Sequence, residues 1–253
     1  MNKPVVALQL YTVRDFTEKD LPGTLSQVKA MGYDAVELAG TYGLETAALK
    51  KHLEDAGLEA ISAHVGFGAL EDAEGTALQY KELGCKLISI PALPLEALPG
   101  GKNYEATKET MIKAAAICKK HGLMLGYHNH AYEFETLPCG SFVLDALFET
   151  TTADVLQAQI DTGWVLAAGQ DPAQYVKKYT GRCPSIHLKD IEKVNDKYED
   201  RPVGKGIQDI PAVMKAATEA GAYIMVVELD EAVGMTSLEA AKQSREYLKT
   251  IGY

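Results

Sequence analysis

Three side chains able to move protons or bind a metal, His128, His130 and Glu133, close the stretch 123–134. The stretch opens as an apolar run entered through His121 and Gly122, which reads as a buried strand. Side chains two apart on a strand share a face, so His128 and His130 point the same way, with a carboxylate three residues on. Buried imidazoles need partners, and a pair of them beside an acid fits a reactive centre better than it fits packing. Polar residues stand near the ends of other apolar runs too: Gln9 and Tyr11, Glu37, His64, Asp161, His187 and Lys189, and Glu228 and Asp230. Imidazoles and carboxylates together suit one divalent cation, Mn, Zn, Co or Mg. A set of two Glu, one Asp and one His would leave positions open for substrate oxygens. The cation would act as a Lewis acid, with flanking carboxylates and Lys189 as acid and base.

Such residues must be carried to one place. Strand-like runs are expected at Val5–Tyr11, Ala35–Leu38, Ala60–Val65, Leu87–Pro91, Met124–Asn129, Leu156–Asp161, Ser185–Lys189 and Ile224–Leu229. Between them lie segments with helical spacing, such as Leu21, Leu25, Val28 and Met31. Most of these end in a glycine that hands over to the next strand: Gly32, Gly57, Gly84, Gly122, Gly181 and Gly221. Eight strands alternating with helices over residues 1–253 predict an α/β fold with a single (β/α)8 TIM barrel as its one domain. An open doubly wound sheet would carry a glycine-rich phosphate turn after its first strand, and Gln9 to Arg14 contains no glycine. In a barrel all eight strands aim their C-terminal ends at one mouth. Two long connections, Leu93–Asn103 and Asp190–Gly206, leave from that side and are expected as rim or lid.

Composition narrows the partners. The 253 residues carry a formal charge of -10, which argues against a nucleic-acid binder. No apolar run approaches the roughly 20 residues of a membrane span. Met1 to Arg14 lacks the marks of an export signal, and the four cysteines are scattered, so reduced thiols in the cytoplasm are expected. A small-molecule partner is expected, and a homo-oligomer is compatible with the chain.

The stretches Tyr127-His128-Asn129-His130 with Glu133-Phe134, Ile160-Asp161-Thr162-Gly163-Trp164, Ile186-His187-Leu188-Lys189-Asp190 and Val227-Glu228 resemble the xylose-isomerase-like barrels. That family comprises sugar isomerases and epimerases, inosose dehydratases and endonuclease IV. Leu8-Gln9-Leu10-Tyr11-Thr12 and Ser62-Ala63-His64 look like it as well, and the resemblance covers nearly the whole chain. It implies one divalent metal held by Asp161, His187, Glu228 and a fourth ligand from the fifth strand. In the epimerase branch that ligand is a strand-borne Glu, and two metal-bound Glu residues shuttle protons. Here the strand carries histidines instead, closer to the inosose-dehydratase branch. Glu133 is taken as the fourth ligand because two carboxylates already present favour a third, with His128 as the fallback.

The activity expected is metal-dependent isomerisation or epimerisation of a keto or aldo sugar, or sugar phosphate, through an enediolate. The alternative is dehydration of a keto-polyol, and a sugar-binding barrel without catalysis is a third reading. Glu228, His130, Lys189 and His128 are the expected catalytic residues, and Gln9, Tyr11, Glu37, His64 and Trp164 the expected substrate contacts. The Gly204-Lys205-Gly206 stretch reads as a turn rather than a phosphate cradle.

Overall fold

A computed structural model describes residues 3–253. Its strands are β1 (Val5–Gln9), β2 (Ala35–Ala39), β3 (Glu59–His64), β4 (Leu87–Ile90), β5 (Met124–His128), β6 (Gln157–Asp161), β7 (Ser185–Leu188), β8 (Asp190–Val194), β9 (Lys197–Arg201) and β10 (Ile224–Val227). Eight of them close a parallel barrel in the order β1-β10-β7-β6-β5-β4-β3-β2, with helices in the connections. The expected strands differ from the observed ones by one or two residues at their ends. β1, for example, stops at Gln9 because the Gln9 side chain accepts the Tyr11 N–H and starts a 3-10 turn over Leu10–Val13. Gly32, Gly57, Gly84 and Gly221 each cap a helix in the left-handed conformation.

The barrel interior is layered. At the N-terminal end Ala7, Ala35, Ile61, Ile224 and Val226 form a small apolar cluster of their own. Two residues further along the same strands stand Gln9, Glu37 and Glu228, so the interior turns polar within one pleat. Between β2 and β3 the register shifts: Val36 pairs with Ala60 and Glu37 with Ser62, which leaves Ile61 without a partner on β2. That extra residue lets Ile61 join the apolar layer while Ser62 faces Glu37.

The second long connection is not an irregular loop. β8 and β9 pair antiparallel from Asp190↔Arg201 to Val194↔Lys197. Asn195 and Asp196, both at positive φ, form the two-residue turn that suits the twist of such a hairpin. The first connection holds a 3-10 turn, Leu95–Ala97, before the helix Tyr104–Lys120. All four cysteines are free, and among the described residues no helix is long and apolar enough to cross a membrane.

Candidate metal centre and cavity

Four strand ends place His128, Asp161, His187 and Glu228 together. Each offers a ligand atom within 4.8 Å of the other three, and all four are buried. Local chemistry fixes each one. Asp161 ends β6 and caps the helix Thr162–Ala167 by accepting the Trp164 N–H at 2.9 Å, while the Asn129 side chain accepts the Asp161 N–H at 3.0 Å. Thr162 donates to the His187 carbonyl at 2.9 Å and ties β6 to β7. A Cβ on Gly163 would come within 2.7 Å of the Lys189 backbone oxygen, so the glycine permits that close approach. Asp190 accepts from the backbone N–H groups of Ile191, Gly204, Gly206 and Gln208, and so pins the loop behind the hairpin. The Gly204 and Gly206 amides are thereby engaged by Asp190 and do not form a phosphate cradle.

The charges are tightly coupled. His187 lies between two carboxylates, with Nδ1 2.8 Å from Glu228 and Nε2 2.6 Å from Glu37. Burial opposes its protonation, but Glu228 and Glu37 more than offset this and raise its pKa to about 10. Burial would also raise Glu37, yet the His187 and His64 imidazoles bring it down to about 2. Glu228 is held well below the ordinary carboxylate range, where Lys189 and His187 overcome its burial. Asp161 goes the other way: burial lifts it to about 7 despite the Lys189 ammonium 3.5 Å away. His128 is pushed well below the usual imidazole range, first by burial and then by His187 and His64.

These residues fit a divalent cation on their hydrogen bonding as well as their type. Asp161 Oδ2 is buried and has no hydrogen-bond partner among the described residues. It lies 3.9 Å from His128 Nε2, a separation that two ligands about 2.0–2.2 Å from one ion can span. Two carboxylates and two imidazoles form a mixed oxygen and nitrogen donor set suited to Zn, Mn or Co.

Glu133, expected as the fourth ligand, is placed elsewhere. The chain turns over Tyr132–Phe134 and buries Glu133 beneath it. One oxygen accepts the Tyr127 hydroxyl at 2.7 Å and the other the His130 N–H at 2.8 Å, so the carboxylate holds the end of β5 in shape. His128, the fallback, takes the place in the cluster. Lys189 is fully buried beside Asp161, Glu228 and Asp230, with its ammonium 4.9 Å from the Trp164 ring centre. Its ammonium faces these carboxylates and does not line the cavity.

Above the cluster opens a cavity of about 560 Å³, lined in part by Tyr11, His64, His128, His130, Glu228 and Asp230. Of the expected substrate contacts, Tyr11 and His64 line it. Trp164 stands aside against His130 and Lys189. Gln9 and Glu37 lie deeper and are fully buried, bonded to each other at 2.8 Å. Sequence reasoning missed Gln159 and Ser62, which both donate to Glu37. They stand two residues before Asp161 and His64, so strand periodicity could have found them. It also missed Asp200 of β9, which accepts the N–H groups of Asp230 and Glu231 and so tethers the hairpin to the rim.

Residues 25–251 match the profile of the xylose isomerase-like TIM barrel family, and the chain belongs to that family. An inosose dehydratase of Clostridium perfringens is 24% identical over 89% of this chain and 88% of its own length. A sugar phosphate isomerase/epimerase structure from Parabacteroides distasonis superposes with a TM-score of 0.81 at 24% identity, covering 100% of this chain and 96% of the other. The IolI protein, whose structure has zinc bound, superposes with a TM-score of 0.71 at 16% identity, over 98% of this chain and 97% of that one.

Proposed function

We propose that the protein is a divalent-metal-dependent enzyme that removes the proton beside the carbonyl of a keto sugar or keto-polyol. The observation that carries this reading is the convergence of His128, Asp161, His187 and Glu228 below the cavity, with the Asp161 Oδ2 oxygen left without a hydrogen-bond partner among the described residues. These four residues would hold the cation, and the zinc bound in the IolI neighbour supports it. When bound, the cation would supply Lewis-acid polarisation of a carbonyl oxygen. The protein's own groups would supply the proton traffic. Glu228 and His130 both line the cavity, from just beyond β10 and just beyond β5, which stand three strands apart in the barrel ring. A substrate between them would meet a carboxylate on one side and an imidazole on the other, one group on each face for taking up and returning the proton. Asp230 and His64 are placed for hydroxyl groups, and Lys189 balances the carboxylates from behind.

Return of the proton to the neighbouring carbon or the opposite face would give isomerisation or epimerisation. Loss of the β-hydroxyl would give dehydration. The second outcome is favoured by His128 in the place where a two-carboxylate shuttle would need a Glu, and by the inosose dehydratase relative. Incubation of the Zn- or Mn-loaded protein with keto sugars and inososes in D2O tests the reading. The expected result is exchange of the α-proton, with water loss seen by NMR for the matching substrate. Metal-loaded protein that exchanges no α-proton across the panel would overturn it.

A further inference from the structure

Glu37 is fully buried, yet it sits below the cavity rather than on its wall. Its Oε1 oxygen is approached by Gln9 Nε2 at 2.8 Å, His187 Nε2 at 2.6 Å and His64 Nε2 at 3.1 Å. Its Oε2 oxygen accepts Ser62 Oγ and Gln159 Nε2, both at 2.6 Å. A carboxylate offers about four lone-pair sites, so these neighbours exhaust it and leave nothing for a substrate hydroxyl or a second cation. The contact with a consequence beyond packing is the one to His187. An imidazole ligates a metal through one nitrogen only when the proton is on the other, and the acceptor at that other nitrogen selects the tautomer and the ring plane.

We propose that Glu37 is a positioning residue, the anion that keeps the proton on His187 Nε2 and turns His187 Nδ1 toward His128, Asp161 and Glu228. The proposal rests on the metal reading above. Ile61, unpaired on β2, gives this arrangement a backbone origin, since it sets Ser62 directly against Glu37. The remaining donors fix the carboxylate so that it cannot follow the imidazole if the ring swings.

Glu37→Gln removes the anion and exchanges one acceptor oxygen for an NH2 donor, and the shorter Glu37→Asp withdraws the acceptor from His187 while keeping the anion should the first not fold. Tyr33→Phe removes a buried hydrogen bond to the Ala241 carbonyl far from the site and controls for loss of stability alone. Zn2+ affinity is measured by chelator competition, and the ring nitrogens are observed by NMR of 15N-histidine protein. Wild type is expected to show His187 with a metal-bound Nδ1 and a protonated Nε2. The Glu37 variants are expected to bind Zn2+ on the order of 10–100-fold more weakly and to lose that single pattern, while Tyr33→Phe keeps both. Glu37 variants with wild-type affinity and an unchanged His187 pattern would overturn the proposal alone. A wild-type chain that takes up no Zn2+ would overturn the metal reading and the proposal together.

Discussion

Glu37 and Asp161 are both fully buried carboxylates inside one barrel, and they differ in what their oxygens meet. Glu37 is surrounded by donors from Gln9, Ser62, His64, Gln159 and His187, and its pKa falls to about 2. Asp161 has one oxygen on the Trp164 N–H and the other without a hydrogen-bond partner among the described residues, 3.5 Å from the Lys189 ammonium, and its pKa rises to about 7. A buried carboxylate left half bonded is costly in a metal-free protein, and such a cost is borne where function requires it. The closed carboxylate is therefore suited to a scaffold role and the open one to the proposed cation.

The largest effect should come from Asp161 itself. Asp161→Asn is expected to lower metal-dependent turnover by about 10³-fold or more, the scale of losing several kcal/mol of charge stabilisation. The same variant should melt higher than wild type when both are metal-free at pH 8. The sign follows from the shift: a folded pKa of about 7 lies above the ordinary value for Asp, so ionised Asp161 disfavours the fold as pH rises toward and past 7. Melting curves at pH 5 and pH 8 check this, and a lower melting point for Asp161→Asn at pH 8 would break the contrast between the two carboxylates.

Glu133→Ala should give the opposite division. It strands the Tyr127 hydroxyl and the His130 N–H, each costing about 1–3 kcal/mol, while the metal stoichiometry stays at that of wild type. Chemical denaturation beside elemental analysis separates the two readouts, and loss of metal without loss of stability would return Glu133 to the ligand set. Asp190→Asn should cost about 1.5–3 kcal/mol through its bonds to the 204–208 loop, again with metal retained. The smallest effect expected is a proton count. His187 and Asp161 both carry raised pKa values, and their protons must leave when the residues ligate. Zn2+ binding at pH 6 should therefore release protons, and affinity should climb between pH 6 and 8. Calorimetry in two buffers of different ionisation enthalpy measures the release.

Much of this fold was legible in the sequence. Parallel barrel strands are buried on both faces and read as apolar runs, and glycine caps mark several of the helix ends between them. The hairpin β8–β9 was not seen because Asp190–Arg201 is mostly charged, although Asn195-Asp196 between two equal runs was a usable signal. The site was legible in kind and less so in depth. Period-two spacing puts Gln9 and Glu37 on the inner face with Glu228, but the level each reaches depends on the stagger of the strands, which no local pattern records. That is why Gln9 and Glu37 were expected to touch substrate and lie instead beneath the cavity. The choice between Glu133 and His128 turned on the bend over Tyr132–Phe134, which folds Glu133 back under β5. Sequence distance alone could not show that bend.

The proposed cation would sit on His128, Asp161, His187 and Glu228. An X-ray absorption spectrum of the Zn-loaded wild-type protein, compared with His128→Ala and Glu133→Ala, tests this placement most directly. The wild-type shell is expected to hold two imidazole nitrogens and carboxylate oxygens, with one imidazole fewer in His128→Ala and an unchanged shell in Glu133→Ala. A shell with a single imidazole that loses an oxygen in Glu133→Ala would contradict the placement.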